Sequence, residues 1–424
     1  MKILEINKFH FVKSGADRHF LDLIKLLRSK GHEVAVFAMD HPKNEFSPWS
    51  KYFVSYVGYG EKDSLYHKAK GVFRMFYSLE ARNKVNKLLD DFKPEIVHIN
   101  NIYHQISPSI LSAIKKRGIP VVMTVHDYKI VCPNYLLQFN GTDTSSVSWK
   151  GFIRNKFFKN SYLKSALVTA ESRLHRYLNL YDKNIDLYIS PSVFTKNILV
   201  SHGISSEKII IQPHFAMSRQ YCDLSGPKTT RPYALYYGRI SKDKDIEKLI
   251  RMFLAMPDID LYLAGEIEDK IAIPRNQNIK HLGFLSGSQL EQLIQHSSFV
   301  VSFSRLPETF GLVALEAMQL GKPFLGFRGS AFDEIVENKK EGFLASDEAE
   351  MRKNILHISS DRGLQILFSR NALAKARYFS DEAFFQNIDT LFKALLKNKK
   401  ALTFSTRDAK LSSHLEMGVL SKKL

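Results

Sequence analysis

Cysteine is nearly absent from this 424-residue sequence, which contains only Cys132 and Cys222. Two cysteines exclude a disulfide framework and a cysteine-rich zinc module, because both depend on several cysteines at regular spacings. The same scarcity predicts a protein of a reducing compartment.

Long hydrophobic runs are missing as well. No apolar run reaches the ~18 to 20 residues that a membrane-spanning helix requires. The first residues, MKILEINKF, have a glutamate inside their short apolar stretch and no small-residue cleavage site, so they do not match a signal peptide. We therefore expect a cytoplasmic protein.

Acidic residues are too few to balance the basic ones. Lys and Arg number 61 against 43 Asp and Glu, which gives a formal net charge of +18. Residues 1–212 hold 31 basic and 18 acidic side chains, residues 213–392 hold 22 and 23, and residues 393–424 hold 8 and 2. The excess therefore lies in the first half and the tail, where nucleic acid or an anionic membrane can be the partner. Lysines that only keep the protein soluble are the alternative.

The hydrophobic pattern predicts an α/β protein with parallel sheets. Short runs rich in valine and isoleucine, such as KILEIN (2–7) and VVMTV (121–125), alternate with segments of helical period. Residues 213–232 lose this alternation and collect Gly, Pro, Ser and Thr, which is typical of a linker. The alternation restarts at ALYYG (234–238). We expect two domains whose ligands bind at the carboxyl ends of the strands, in a cleft between them.

The segment with the clearest chemical meaning is residues 303–327. It places Glu308 in a loop after a strand, Gly311 at a predicted helix start and Glu316 inside that helix. The N–H groups of Phe310, Gly311 and Leu312 would then lie at a helix N-terminus, which favours an anion such as a diphosphate. A carboxylate at Glu316 can accept hydrogen bonds from ribose hydroxyls. On spacing alone, two helix-associated glutamates also arise by chance.

Four ordered motifs resemble the retaining glycosyltransferases of family four, also called group 1. Glu308 and Glu316 match that family's paired glutamates, which seven residues separate. GRISKDKD (238–245) resembles its basic turn, and Ser14-Gly15-Ala16 resembles its N-terminal glycine loop. HDYKIVCPNY (126–135) is similar to a signature of members that build bacterial surface polysaccharides.

The resemblance implies the GT-B architecture, in which two Rossmann-like domains have parallel sheets that face each other across a cleft. Residues 1–215 would form the acceptor-side domain and residues 216–380 the nucleotide-sugar-binding domain. Residues 381–424 would form a closing helix and a basic tail.

The resemblance also implies roles for residues of the second domain. Arg239 and Lys244 match the basic pair that contacts the donor diphosphate, and fixed cations there would stabilise the charge of a departing nucleoside diphosphate. Glu316 matches the ribose-binding glutamate, and Glu308 the glutamate near the transferred sugar. Phe310, Gly311 and Leu312 would complete the donor site. The alternative for Arg239 and Lys244 is that they are surface cations beside a helix start.

Two residues of the first domain match the family as well. His126 corresponds to the histidine close to the donor sugar, although a lone histidine after a strand is often structural. Gly15 would let its loop approach the donor, although a plain strand-to-helix turn explains it too.

Some positions depart from the family pattern, and they put the choice of donor in doubt. Asp245 occupies the place of a glycine after the matched lysine, and Ser14 replaces the first glycine of the N-terminal loop. Ser330 and Ala331 occupy two further glycine positions, and AGEIED (264–269) lacks the usual glycine.

We expect no metal and no cofactor, because the nucleotide sugar is itself a substrate. Two Asp-x-Asp triplets, 243–245 and 258–260, are typical of metal-dependent transferases, but neither falls in a suitable setting. By resemblance the acceptor is a glycan or a lipid-linked glycan, and the leaving diphosphate helps to deprotonate the acceptor hydroxyl.

Residues 149–164 form a basic segment with five cations and no acid, and its aromatic residues include Trp149, Phe152, Phe157 and Phe158. As a helix it can lie on an anionic membrane with its aromatic side chains inserted, which would make the protein peripheral to the inner membrane face. The alternative is a helix that packs on the core and exposes its lysines.

Two other functions remain open from the sequence. A nucleotide-sugar 2-epimerase would share the fold and convert its donor without an acceptor. A non-catalytic basic scaffold would bind nucleic acid or membrane, but the paired glutamates argue against a polyanion in that cleft, so we expect no nucleic-acid partner.

Overall fold

The computed structural model describes residues 1–58, 64–217, 231–268 and 271–397. Their contacts divide the chain into two compact units. The first comprises Met1–Pro213 and the described residues from Phe384 onward, and the second comprises His214–Ala383. The centre of the expected linker, Cys222 and the tail beyond residue 397 lie outside the described residues.

The first unit contains a six-stranded sheet in which all pairings are parallel. A short antiparallel pair, β5 with β6, follows the fourth strand of this sheet. The strands are β1 (Lys2–Ile6), β2 (Glu33–Phe37), β3 (Ile96–Ile99), β4 (Val121–Thr124), β5 (Gln138–Phe139), β6 (Thr142–Asp143), β7 (Leu187–Ser190) and β8 (Ile209–Ile211).

Several helices of this unit bury apolar side chains in the core that surrounds the sheet. Strand residues such as Leu4, Val97 and Met123 are fully buried, as expected for strands covered on both faces. The helices are α1 (Gly15–Ser29), α2 (Leu65–Phe76), α3 (Leu79–Phe92), α4 (Ser109–Lys115), α5 (Trp149–Arg154), α6 (Tyr162–Tyr177) and α7 (Val193–Ser201).

The second unit repeats the plan with another six-stranded parallel sheet. Its strands are β9 (Tyr233–Tyr237), β10 (Asp260–Ala264), β11 (Ile279–His281), β12 (Phe299–Val301), β13 (Phe324–Phe327) and β14 (Gly342–Ala345). Its helices are α8 (Ile246–Leu254), α9 (Gly287–His296), α10 (Leu312–Gln319), α11 (Phe332–Ile335), α12 (Glu348–Ser360) and α13 (Arg362–Ala376). The prediction of two Rossmann-like units with parallel sheets is confirmed.

The last described helix, α14 (Asp381–Lys397), packs on the first unit. Asp389 lies 3.6 Å from His32, and Phe392 lies against the ring of His98. The chain therefore returns to its first unit after completing the second.

The strand order fixes where loops can meet in each unit. The first sheet has the order β2-β1-β3-β4-β7-β8, and the second has the order β11-β10-β9-β12-β13-β14. The chain direction across the sheet reverses between β1 and β3 in the first unit, and between β9 and β12 in the second. At such a switch point the loops leaving two neighbouring strands diverge and open a crevice for a ligand.

The expectation of a continuous basic helix over 149–164 is wrong. Helix α5 ends at Arg154, and Lys156, Lys159 and Asn160 adopt left-handed backbone angles that no helix continues. The next helix, α6, begins after Ser161, whose hydroxyl accepts a hydrogen bond from the N–H of Lys164.

No helix among the described residues is long and apolar enough to cross a membrane.

Candidate active site

The basic turn of the second unit follows β9 directly. Gly238 and Arg239 leave the strand, and Lys242–Lys244 form one turn of 3-10 helix before α8. The side-chain ammonium of Lys244 contacts the carboxylate of Glu308, and both side chains are partly buried. Because Glu308 lies in the loop after β12, this contact joins the two loops that diverge at the switch point of the second sheet.

Arg239 is held by two carboxylates. Its guanidinium lies 2.7 Å from Glu268 and 3.0 Å from Asp243, and its carbonyl accepts a hydrogen bond from the Tyr236 hydroxyl. Burial acts to raise the pKa of Asp243, but Arg239, Ser241 and Lys244 outweigh it, so that the pKa is lowered. Arg239 and Lys244 therefore stand on one turn as fixed cations.

Helix α10 begins at the glycine that the sequence singles out. Gly311 is its N-cap, with a left-handed backbone (φ 96°), and a Cβ atom there would lie 2.4 Å from the ring of Phe332. Both facts require glycine. The N–H of Ala314 donates to the carbonyl of Gly311 at 2.9 Å, and the N-terminus of this helix can attract an anion. Glu316 follows in the second turn.

Asp245 explains one departure from the family pattern. It has a left-handed backbone (φ 55°), which is the conformation that favours the family's glycine. Aspartate tolerates this region better than most residues, because its short side chain bonds locally; here it lies 3.1 Å from Lys248. The turn therefore keeps its shape without glycine.

The loop after β13 contacts Glu308, although Ser330 and Ala331 occupy two positions where the family has glycine. The N–H of Ala331 donates to the carbonyl of Glu308 at 3.2 Å, and Ala331 has an ordinary right-handed backbone (φ −60°). A side chain at this position is accommodated without strain.

Three carboxylates of the Asp-x-Asp triplets pair with cations. Asp243 binds Arg239, Asp245 binds Lys248, and Asp260 lies 3.3 Å from Arg231. In the part of the chain that the structure describes, no group of three or more His, Cys, Asp or Glu side chains is placed to hold a metal ion.

In the first unit, the loops after β1 and β3 meet at the switch point. The N–H of Asn101 donates to the side chain of Asn7, and Asn7 in turn donates to Asp17 at 2.9 Å. Ser14 is the N-cap of α1 and has an extended backbone that any residue adopts; its hydroxyl donates to Asp17. Gly15 is the exposed first residue of α1.

His126 follows β4 at the same edge of this sheet, where a buried chain of side chains orients it. The amide nitrogen of Asn100 donates to the buried carboxylate of Glu5 at 3.2 Å, so the amide oxygen of Asn100 faces His126 Nε2 at 2.7 Å. The hydrogen-bond network thus assigns the proton to Nε2 and makes Nδ1 of His126 an acceptor.

Burial keeps His126 neutral. Desolvation, with further contributions from His98 and Lys8, lowers the pKa of His126 to about 3. The ring of His19 lies 5.5 Å from that of His126, and burial lowers its pKa as well. Near neutral pH the imidazole of His126 is therefore uncharged, and its Nδ1 has the lone pair of an acceptor.

The structure brings Arg239, Lys244 and Glu308 together in the second unit and places Phe310, Gly311, Leu312 and Glu316 at the start of the adjoining helix. His126 and Gly15 both lie at the carboxyl edge of the first sheet.

Sequence reasoning missed Glu5, Asn100, Tyr236 and Glu268. Glu5 and Asn100 carried a usable signal, because a polar side chain inside or directly after a fully apolar strand needs a buried partner. Tyr236 gave none, since its place in an apolar strand is that of an ordinary core residue.

Models of known protein families match the sequence in both units. The sequence model described as Glycosyltransferase Family 4 matches residues 13–215. The model described as Glycosyl transferases group 1 matches residues 223–375. The chain belongs to the group 1 glycosyltransferases of family four.

Characterised relatives of this glycosyltransferase are distant in sequence. The alpha-monoglucosyldiacylglycerol synthase of Acholeplasma laidlawii is 24% identical over 92% of this chain and 96% of its own length. The sulfoquinovosyl transferase of Arabidopsis thaliana is 23% identical over 80% of this chain and 61% of its own length. The capsular polysaccharide glycosyltransferase CapM of Staphylococcus aureus is 25% identical over 39% of this chain and 47% of its own length.

Solved structures establish the fold as GT-B. Sucrose-phosphate synthase of Thermosynechococcus elongatus superposes with a TM-score of 0.68 at 16% identity, over 94% of this glycosyltransferase and all of that chain. HepE of Anabaena, solved in complex with UDP-glucose, gives 0.64 at 18% identity, over 93% and 100% of the two chains.

The left-handed backbone at Asp245 predicts that glycine is tolerated better than valine at this position. We expect Asp245→Gly to change the free energy of unfolding little, whereas Asp245→Val should lower it by about 1–2 kcal/mol, because a β-branched residue is strained at positive φ. Chemical denaturation of each variant gives the comparison. Lys242→Val, in the same turn, controls for a β-branched residue as such. Equal stability of Asp245→Val and wild type would contradict the left-handed turn.

The neutral state of His126 predicts how stability depends on pH. The unfolded chain gains a proton on this imidazole below its ordinary pKa of 6.5, whereas the folded protein does so only near pH 3. The stability that His126 contributes is therefore complete above pH 6.5 and is lost as the pH falls from there.

We expect His126→Gln to flatten the fall in unfolding free energy between pH 6.5 and 4, by up to about 1.4 kcal/mol per pH unit. Urea denaturation across this range measures it, and parallel curves for variant and wild type would show that His126 is charged in the fold.

Proposed function

We propose that the protein is a retaining glycosyltransferase that moves a sugar from a nucleoside-diphosphate sugar to a glycan or lipid-linked acceptor in surface polysaccharide synthesis. The observation that carries the proposal is the contact between Lys244 and Glu308 at the switch point of the second sheet, beside the start of α10. Cations, a helix N-terminus and a carboxylate stand there together, and these groups suit a diphosphate and a sugar.

The donor diphosphate would bind Arg239, Lys244 and the first turn of α10. In this structure both cations are paired with carboxylates, Arg239 with Asp243 and Glu268, and Lys244 with Glu308. A diphosphate carries more charge than any one of these carboxylates and would take over Lys244. As the sugar departs, negative charge grows on the diphosphate, and prepositioned cations stabilise it.

The two glutamates would then have separate tasks. Glu308, released from Lys244, would accept hydrogen bonds from the transferred sugar, and Glu316 would accept those of the ribose hydroxyls. His126 would contribute Nδ1 as an acceptor for a sugar hydroxyl, since Asn100 holds its proton on Nε2. The leaving diphosphate would take the proton of the acceptor hydroxyl in a front-face reaction, so that the configuration is retained.

The relatives support the donor and acceptor classes. HepE of Anabaena was crystallised with UDP and with UDP-glucose, which favours a nucleoside-diphosphate sugar as the donor here. The name of the Acholeplasma synthase describes a glucosylated diacylglycerol, and that of CapM a capsular polysaccharide. An acceptor anchored in lipid would bring the protein to the inner face of a membrane.

The donor site predicts a selective stabilisation that depends on Glu316. A nucleotide sugar at ~100 times its dissociation constant should stabilise the native state by roughly 2.7 kcal/mol, which raises the midpoint of thermal unfolding by several degrees. We expect one nucleotide sugar of a panel to stabilise wild type and not Glu316→Ala. The matched control is Glu337→Ala, because Glu337 forms an exposed pair with Lys340.

Two further measurements belong to this test. Because the proposed reaction needs no metal ion, the stabilisation should persist in EDTA. Conversion of the sugar to its 2-epimer without an acceptor would replace the transferase proposal with an epimerase. If no nucleotide sugar stabilises the protein, the donor site is wrong.

A further inference from the structure

Helix α6 of the first unit faces the protein with its polar side. The side chains of Ser165, Thr169, Glu171 and His175 are buried. Glu171 lies 2.7 Å from the Lys129 ammonium and 3.2 Å from a ring nitrogen of His104. His175 Nε2 lies 2.9 Å from the carbonyl oxygen of Phe76 in α2. Ionic and polar contacts therefore hold most of the inner face of this helix, and Val168 adds one buried apolar contact.

The outer face of α6 is apolar. Leu163, Leu167, Ala170, Leu174 and Tyr177 follow the i, i+4, i+7, i+11, i+14 spacing that puts side chains on one stripe of a helix. Leu163 is 70% exposed and Tyr177 is 87% exposed. An ordinary amphipathic helix turns such a stripe inward. Here Leu167 packs on a buried cluster that contains Phe152, but the other four side chains of the stripe are exposed, so an apolar partner outside the unit would cover them.

The sequence segment that contains this stripe is strongly basic. Residues 145–180 contain seven Lys and Arg side chains and a single carboxylate, Glu171, which is buried. The half-exposed indole of Trp149 lies under the guanidinium of Arg173, at 4.9 Å. Lys156 lies over the ring of Tyr162, at 4.5 Å. Among the described residues of this segment, cations are therefore exposed and carboxylates are not.

The segment predicted from sequence to insert its aromatic residues contributes less than expected. Phe152 is buried with Met75 and Val168, and Phe157 and Phe158 pack against that cluster. Only Trp149 of these four aromatic residues is exposed. The apolar contact surface therefore lies on α6, and the preceding segment supplies mainly cations.

We propose that the outer face of α6, with Trp149 and the cations around it, binds a membrane surface rich in anionic lipid. A bilayer interface accepts leucine and tyrosine at its hydrocarbon edge and attracts lysine and arginine to its headgroups. A second copy of the chain fits less well, because it would oppose cations to cations. The inference rests on the proposed function in one respect, that the acceptor lies in a membrane.

The test is cosedimentation of the full chain with vesicles. One set is phosphatidylcholine alone, and the other contains about one third phosphatidylglycerol. We expect binding only to the anionic set, and weaker binding as salt rises. The variant Leu163→Glu/Tyr177→Glu should bind at least about tenfold more weakly, since it removes two apolar contacts and adds two repelled charges.

A matched control exists in the second unit. Leu367→Glu/Tyr378→Glu changes the same residue types at exposed positions, 53% and 65% exposed. This control should bind vesicles as wild type does. Both double variants should unfold at the wild-type temperature, because all four side chains are exposed.

The proposal is overturned if wild type does not bind anionic vesicles at low salt, or if both double variants lose vesicle binding equally. It is also overturned if wild type is a dimer in solution that only Leu163→Glu/Tyr177→Glu dissociates, since the stripe would then be a subunit interface. Stabilisation by nucleotide sugars tells this proposal apart from the proposed function. If the protein binds vesicles but no nucleotide sugar stabilises it, the membrane-surface proposal is supported and the donor-site proposal is contradicted.

Discussion

The ion pair between Lys244 and Glu308 connects the two loops on which the proposed donor site depends. One loop leaves β9 and the other leaves β12, and these strands are neighbours only because the chain changes direction across the sheet between them. The same contact holds a cation and a carboxylate at the start of α10. Since opposite charges in a partly buried place attract more strongly than in water, the pair holds the two loops together. In the proposed function a diphosphate would displace Glu308 from it.

The two units handle charge in different ways. In the second, the paired cations and carboxylates are partly exposed. In the first, the buried side chains of Glu5 and Asn100 lead to the partly buried His126, and each hydrogen bond fixes the direction of the next. Desolvation there keeps an imidazole neutral and the hydrogen bonds set its tautomer, so the first unit offers a neutral acceptor where the second offers charged groups.

Sequence alone predicted the strands of both sheets well, because fully buried parallel strands are uninterrupted apolar runs such as those of β1 and β4. It also located Gly311 and the basic turn through the spacing of motifs. Partners were harder to predict, because a pattern shows that a side chain is polar and not what it binds. Asp245 read as a missing glycine until its backbone angle showed that aspartate can take the same conformation.

Helix α6 is the clearest case in which hydrophobic periodicity predicts the wrong buried face. Its apolar stripe is regular, and hydrophobic spacing would turn it toward the core. The helix is held the other way because Glu171 needs Lys129 and His104, and a buried carboxylate without these partners would cost more than an exposed leucine. The spacing of apolar residues gives no information about the energy of these contacts of Glu171. The break between α5 and α6 was missed for a related reason, since lysine and asparagine at left-handed angles leave no compositional trace.

The central claim is that a diphosphate displaces Glu308 from Lys244. Titration calorimetry of UDP into wild type, Lys244→Met and Glu308→Gln tests it most directly, because UDP carries the diphosphate without the sugar that Glu308 would contact. The two substitutions should act in opposite directions. Lys244→Met should weaken UDP binding by roughly tenfold or more, because it removes a charged hydrogen bond, and Glu308→Gln should strengthen it, because it removes the competing carboxylate. Weaker binding in both variants, or no change in either, would contradict the account.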